Sequence, residues 1–459
     1  MHTVVTVDTP ELGDRSYLAH DGEVAVVVDP QRDIDRVLSI ADAAGVTITH
    51  VAETHLHNDY VSGGLQLARV TGAEYLVNGV EEVRFERTPI RDGENVPIGT
   101  MSLRAVATPG HTPGHLAFVL SDGAVPEEAV PGAVFTGGSL LYGTVGRTDL
   151  VDPALSDELA RAQFRSVRAL DSMLPPSVLV RPTHGFGSFC STSPISTDVA
   201  SGDLAAERVS NEALLEEDED AFVTRLLQSF VDYPRYYARM GPTNAEGPAP
   251  IDLSPLPVVP AGELRKRIAA GEWVVDLRER RSYARNHLSG TVSFEQTTSL
   301  ATYLGWVIPF EARITLIADS PARVARAQRD LARIGIDRPS GAAHGRLEQL
   351  APGAPTSTYD VSDFLGLAKA VANGDPVILD VRRDDEWDTG HIEGAVHIFL
   401  ADLADRIGEV PPGEVWVHCA GGYRASIGAS IVNRAGRRTV LVHDDWVRAA
   451  ACGLHIVRD

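Results

Sequence analysis

Cysteine is scarce in this 459-residue sequence: Cys190, Cys419 and Cys452 are the whole supply. Three widely separated thiols make no disulfide framework, which fits a reducing compartment and predicts a cytoplasmic protein. Long apolar runs are missing as well. None approaches the ~20 residues a membrane helix needs. Met1 to Asp8, with Val4, Val5 and Val7, reads as a strand rather than an export signal. Positive charge is also in short supply, with 41 Lys and Arg against 63 Asp and Glu and a formal net charge of −22. That balance argues against nucleic acid and against anionic membrane surfaces as partners. It says little about a small anionic substrate, which responds to local charge.

What is present is an ordinary globular composition, 44% hydrophobic and 23% charged. The length exceeds one core and predicts about three domains. Short β-rich segments fill residues 1–200 (Val24–Val28, Thr47–Val51, Glu74–Val77, Leu103–Val106, Leu116–Leu120, Ala133–Phe135), with helical stretches at Asp33–Ala44 and Ser156–Leu170. Ser156 stands in the N-cap position of the latter, before Asp157 and Glu158. This pattern predicts a layered α/β sandwich whose loops gather at one edge. Residues 211–240 read as helical, with the acids from Glu216 to Asp220 suiting a first turn. Pro242 to Pro260 reads as an extended linker, and a second break falls near Pro352–Pro355.

Beyond the first linker the chain repeats itself. Asp276-Leu277-Arg278 and His287-Leu288-Ser289-Gly290 return 104 residues later as Asp380-Val381-Arg382 and His391-Ile392-Glu393-Gly394. Each set follows an apolar strand, which predicts two related α/β domains with parallel sheets.

Two clusters carry chemistry. Thr54-His55-Leu56-His57-Asn58-Asp59 places two imidazoles and a carboxylate on a loop after an alternating strand, at metal-ligand spacing. Thr108-Pro109-Gly110-His111, Thr112-Pro113-Gly114-His115 and Pro182-Thr183-His184-Gly185 also follow strands, so a shared loop edge could bring these imidazoles to one cation. In the last repeat unit, strand Val415–His418 runs into Cys419-Ala420-Gly421-Gly422-Tyr423-Arg424 and then a helical pattern. Such a turn aims backbone N–H groups and a positive helix end at one point, which favours a nucleophilic thiolate at Cys419, with Arg424 closing the cradle. Cys190 and Cys452 read as packing residues.

The Asp380-to-Arg382 strand end, Glu386, the His391 turn and the Cys419-to-Arg424 loop together resemble the rhodanese sulfurtransferases over residues 357–459. That resemblance implies a Cys419 persulfide as sulfur carrier, with Gly421 and Gly422 lining its site. Phosphatases of the same fold resemble Cys-x5-Arg, whereas only four residues separate Cys419 from Arg424. Residues 256–345 resemble a degenerate rhodanese, because Asp319 falls at the cysteine position and Pro321 removes a donor. Residues from about 2 to 200, within an expected domain of 1–241 that includes a helical extension, resemble the metallo-β-lactamase superfamily, specifically the glyoxalase II-like persulfide dioxygenases. The resemblance rests on His55-x-His57-x-Asp59, Thr-Pro-Gly-His111, Phe135-Thr136-Gly137, Gly146 to Leu150 and Thr183-His184-Gly185. It implies an αββα sandwich and a mononuclear Fe(II) held by His55, His111 and a carboxylate at position 138, which here is Gly138. His57, Asp59 and His184 are the groups able to complete such a site, and Tyr60 stands where dinuclear relatives carry a histidine. The resemblance also implies Arg147 as a contact for a carboxylate-bearing thiol, against a plain ion pair with Asp149. The expected activity is oxidation of a low-molecular-weight thiol persulfide to sulfite, with sulfane sulfur passed through Cys419 and thiosulfate or sulfite as further small partners. The alternatives are a sulfurtransferase whose N-terminal domain is inert and metal-poor, and a zinc-dependent thioester hydrolase. A homo-oligomer is consistent with the family.

Overall fold

Alternating burial along the first strands sets the architecture. Across Asp14–His20 and Val24–Val28, Leu18, Ala25 and Val27 point one way and Tyr17, Ala19, Val26 and Val28 the other, all of them buried. Strands covered on both faces need a layer on each side. The computed structural model describes residues 2–123, 130–191 and 202–458. It separates into one unit of Met1–Ile251 with Ala332–Gly335 and another of Asp252–Leu331 with Ile336–Asp459. Among the described residues no helix is long and apolar enough to cross a membrane.

In the first unit one sheet runs in chain order through Thr3–Thr9, Asp14–His20, Val24–Val28, Thr47–Ala52, Glu74–Asn78 and Thr88–Ile90. The other is ordered Gly202–Asp203, Leu179–Pro182, Val130–Gly137, Leu116–Asp122, Met101–Ala107, Asn95–Ile98. Tyr17, Val26, Val28 and Leu76 of the first interleave with Leu103, Phe118, Leu120 and Phe135 of the second. Helices Asp35–Ala44 and Gly64–Thr71 cover one outer face through Val37, Ala41, Leu65 and Leu67. Ser156–Met173 and Glu219–Gln228 cover the other through Phe164, Val167, Leu170 and Phe222. The αββα sandwich is the fold.

Three local expectations are corrected. The cap at the start of Ser156–Met173 is not Ser156, which is already helical; Asp152 accepts from Ala154 N one short 3₁₀ turn earlier, at Pro153–Leu155. Residues 211–240 are not one helix but three pieces, Glu212–Leu215, Glu219–Gln228 and the start of Tyr237–Glu246. That last helix runs through Pro242, so the extended linker does not begin there, and the first unit reaches Ile251 rather than 241. A proline in a helix costs a backbone bond, and here buried Asn244 offsets it. Its side-chain amide donates to His57 O and Tyr60 O, each at 2.9 Å, and its oxygen accepts from Ser62 N at 2.9 Å.

The second unit contains two parallel sheets. The first orders Val292–Ser293, Trp273–Asp276, Ile314–Ala318 and Gly341–His344. The second orders Asp360–Ser362, Thr439–Val442, Val415–His418, Val377–Asp380 and Val396–His397. The 104-residue repeat is a repeat of contacts. Asp276 Oδ1 accepts from Arg278 N, and Asp380 Oδ1 from Arg382 N, both at 3.0 Å. His287 Nδ1 faces Tyr283 O at 2.9 Å, and His391 Nδ1 faces Trp387 O at 3.3 Å. Ser357, where the last domain was expected to begin, pairs instead with His287 of the preceding one.

Asp380 and Arg382 are both buried, and their fork holds the strand end shut. Burial works to raise the Asp380 carboxyl, but His418 and the guanidinium of Arg382 together outweigh it and hold the value below the ordinary 3.8. A depressed carboxyl stabilises the fold above its ordinary value and loses that contribution as pH falls through the folded one. Asp380→Asn is expected to cost about 3–5 kcal/mol at neutral pH, as for a buried pair stripped of one partner. Urea unfolding followed at pH 7 and below pH 4 should show that gap closing on acidification.

Candidate metal centre and cysteine site

Four strand ends meet at one edge of the sandwich, and three of them deliver polar side chains there. Thr47–Ala52 leads to the loop of His55, His57 and Asp59; Met101–Ala107 to His111 and His115; Val130–Gly137 to Gly138; Leu179–Pro182 to His184. A further residue, not foreseen, joins them. Asp29 follows Val24–Val28 with φ at 51°, a backbone state that Asp tolerates better than most residues. Its carboxylate accepts from Thr54 N and Thr54 Oγ1, each at 2.7 Å, and from Thr183 Oγ1. One acid therefore ties the His55 loop to the His184 loop.

All five imidazoles are buried. Thr54 Oγ1, whose proton goes to Asp29, accepts from His55 Nδ1 at 2.9 Å, so the His55 lone pair lies on Nε2. That nitrogen stands 3.3 Å from His184 Nε2, close to the spacing of about 3.3 Å that two ~2.0 Å zinc–nitrogen bonds give at a tetrahedral ion. His184 Nδ1 faces Asp14 and Asp59, each at 2.9 Å. His111 Nδ1 donates to Arg147 O at 2.7 Å, leaving a lone pair on Nε2, which has no partner among the described residues. His57 Nε2 lies 3.2 Å from Glu53 and 3.4 Å from Asp29, while its Nδ1 and Oδ1 of Asp59 are likewise unpartnered. Tyr60 stacks on His57 at 4.3 Å.

Burial opposes charge throughout, and the local acids decide where it survives. It pushes His111 down to about 3, with neighbouring His184 adding to the effect, and takes His55 well below its ordinary value. At His57 burial is outweighed by Asp29 and Glu53, which lift it to about 9; at His184 Asp59 and Asp14 lift it to about 10. Orphaned buried lone pairs beside carboxylates are the donor chemistry a cation satisfies. Donor atoms of His55, His57 and His184 lie within 4.8 Å of one another, as do those of His111, His184 and Cys190.

The particular iron set that the resemblance implies does not fit. A Cβ built at Gly138 would stand 2.6 Å from His111 Nε2 and 2.5 Å from Cγ, so the His111 ring occupies the space a ligating side chain would need. Gly138 N instead donates to His115 Nε2 at 3.1 Å. Cys190, read from sequence as packing, lies with its sulfur within 4.8 Å of donor atoms of His111 and His184; no local motif marks this, since its neighbours come from distant loops.

A cavity of about 740 Å³ borders these loops, lined in part by Leu56, Asn58, Thr112, Gly114, Leu150 and Tyr233. Its size falls in the range of small-molecule sites. Arg147 is buried beneath Tyr233, its guanidinium carbon 4.7 Å from that ring, and forks onto Asp149 at 2.7 and 2.8 Å with a further bond to Val231 O at 2.9 Å. The Asp149 ion pair holds this side chain.

In the second unit Val415–His418 ends at Cys419 and Tyr423–Arg434 begins four residues later. Cys419 Sγ accepts from Gly422 N at 3.1 Å and Ala425 N at 3.3 Å. Gly422 takes φ of 90°, and a Cβ there would press on His443 at 3.3 Å, so glycine is required; Gly421 is spatially open. Arg424 forks onto Glu386, one arm at 2.7 Å, so its charge is spoken for beside the sulfur. The corresponding turn of the preceding sheet has only Asp319 and Ser320 between Ala318 and helix Pro321–Arg333, with Asp319 paired to Arg323 at 3.2 Å. No cradle exists there.

Residues 366–448 match the rhodanese-like domain family. The human mitochondrial persulfide dioxygenase is 29% identical over 180 residues, 39% of this chain and 63% of that protein. Hydroxyacylglutathione hydrolase of Cereibacter sphaeroides is 30% identical over 188 residues, 40% of this chain and 67% of that enzyme. The solved structure of a metallo-β-lactamase from Staphylococcus aureus covers 75% of this chain and 99% of its own at 27% identity and a TM-score of 0.67. The chain belongs to the metallo-β-lactamase family, fused to a rhodanese domain. It spans less than two thirds of the human and bovine persulfide dioxygenases, 63% and 62% of their lengths. Persulfide dioxygenases and hydroxyacylglutathione hydrolases are both among the relatives of the N-terminal part of this metallo-β-lactamase–rhodanese fusion.

Replacing Gly138 tests the packing against His111. Gly138→Ala is expected to destabilise by about 1–3 kcal/mol, the usual cost of forcing atoms into a filled site, as read by chemical denaturation of the full chain.

Proposed function

We propose that this fusion is a sulfane-sulfur transferase in which Cys419 carries sulfur as a persulfide. The observation that carries the reading is the pair of backbone N–H groups aimed at Cys419 Sγ. Such donors stabilise negative sulfur without the strong field of a free cation, at the positive end of a helix. In the proposed cycle the Cys419 thiolate attacks the outer sulfur of thiosulfate. The sulfur–sulfur bond breaks, and sulfite leaves with the electron pair. The thiolate of a small acceptor then attacks the terminal sulfur, forms its own persulfide and returns Cys419 as thiolate. Glu386 fixes Arg424 so that its chain borders the cradle; Arg424 is thus a positioning residue. On this reading the chain comprises a metallo-β-lactamase-like part, a chemically silent rhodanese-like domain near 256–345 and an active one near 357–459, working in the cytoplasm.

A second reading assigns the N-terminal part to oxidation of a low-molecular-weight persulfide to sulfite. The persulfide dioxygenase relatives and the His55–His184 approach at 3.3 Å favour it. Iron would supply oxygen activation there; this chain's residues would hold it through His55, His57 and His184, not through position 138. Iron content near one per chain together with persulfide-dependent oxygen uptake would support this, and neither property would remove it.

For the transferase, Cys419→Ser is expected to lower thiosulfate:thiol sulfur transfer at least about 1,000-fold, as loss of a covalent nucleophile does. Retained transfer would overturn the assignment. Circular dichroism and the melting temperature of the variant distinguish lost chemistry from lost fold.

A further inference from the structure

The His111 and Cys190 loops are clamped by a single residue. Arg147 O accepts from His111 Nδ1 at 2.7 Å, and Arg147 N donates to Cys190 O at 3.0 Å. The first bond forces the His111 lone pair onto Nε2, which is fully buried and unpartnered. Cys190 is fully buried too, and its thiol bonds Asp59, which also orients His184. A packing cysteine would sit among apolar side chains. This one sits against an acid, and its sulfur shares a space 4.8 Å wide with donors of His111 and His184.

We propose that His111, His184 and Cys190 form a two-nitrogen, one-sulfur site for a zinc-class divalent cation. It is distinct from the His55, His57 and His184 set of the second reading, and because both would use His184, occupancy of one excludes the other. The donor set decides the metal class. A thiolate with two imidazoles suits zinc or another borderline-soft ion, whereas ferrous oxygenase sites combine imidazole with carboxylate. Three protein donors leave a fourth position for solvent, and ligation needs the donors to draw in toward the ~2.0–2.3 Å bonds of zinc. On binding, the Cys190 S–H bond breaks as the metal–sulfur bond forms, the cation displaces the proton on His184 Nε2, and both protons leave to solvent. Asp59, hydrogen-bonded to the thiol and to His184, orients both in the manner of an outer-shell carboxylate. The inference is independent of sulfur transfer at Cys419, which lies in the other unit.

The chain has only three cysteines, which makes the test clean. In a full-length Cys419→Ser/Cys452→Ser variant, Cys190 is the sole thiol and its surroundings are untouched. Apo protein of this variant is titrated with cobalt(II) and, separately, loaded with zinc for X-ray absorption. The expected result is one equivalent bound, a thiolate-to-cobalt charge-transfer band in the near ultraviolet, and one sulfur near 2.3 Å in the zinc shell. Binding without that band and without sulfur, or no binding, overturns the proposal. Adding Cys190→Ser should weaken zinc more than about 100-fold, beyond the 10–100-fold typical of an outer-shell partner; an unchanged affinity overturns it as well.

Discussion

Charge pairing in a dry interior is the constraint on which the N-terminal unit depends. Five imidazoles and the carboxylates of Asp14, Asp29, Glu53 and Asp59 share one buried region. Unpaired charge there would be prohibitively costly, while each pair recovers part of the desolvation loss. The arrangement solves this by division. His57 is set between Asp29 and Glu53, His184 between Asp14 and Asp59, and both are lifted toward the charged form. His55, His111 and His115 face no such acid pair and are kept neutral by burial. Neutral imidazoles can ligate a metal as they stand, while the charged His57 and His184 would do so by exchanging a proton for the cation.

That division also explains why the loops hold their places. Asp29 bonds the His55 loop and the His184 loop at once, Asn244 grips His57, Tyr60 and Ser62, and Arg147 spans the His111 and Cys190 loops. Each anchor uses backbone groups, so the donor geometry is built into chain paths rather than left to free side-chain rotamers. Gly138 fits the same scheme: the side chain it lacks is replaced in space by the His111 ring.

The two sheets of the C-terminal unit show how little separates a loop with a cysteine cradle from one without. Both keep the Asp-x-Arg strand end and the His turn. What differs is the passage from central strand to helix. Between His418 and the helix lie Cys419 to Gly422, with glycine at positive φ, and two N–H groups converge on the sulfur. Between Ala318 and Pro321 there are two residues, and the helix opens on a proline with no N–H to give. Shared packing keeps the scaffold, and loop length together with the backbone donors decides whether a cradle forms.

The sandwich, the repeat and the cysteine cradle were all legible in the amino-acid order, because each is a local signal: alternation along strands, a fixed offset, glycines between a strand and a helix. His55, His57, Asp59, His111 and His184 could be named for the same reason, each standing beside a strand end in a Gly- or Pro-marked turn. Other features had no local signature. Pro242 reads as a break, yet Asn244 holds its helix through bonds to residues more than 180 positions away. Arg147 could have faced either solute or Asp149, and only burial chose. Asp29 and Cys190 look unremarkable in their neighbourhoods, and their roles come from loops that the two sheets bring together. Periodicity and turn chemistry travel along the chain and can be read there; the sharing of one buried space by distant residues is a property of the folded chain alone.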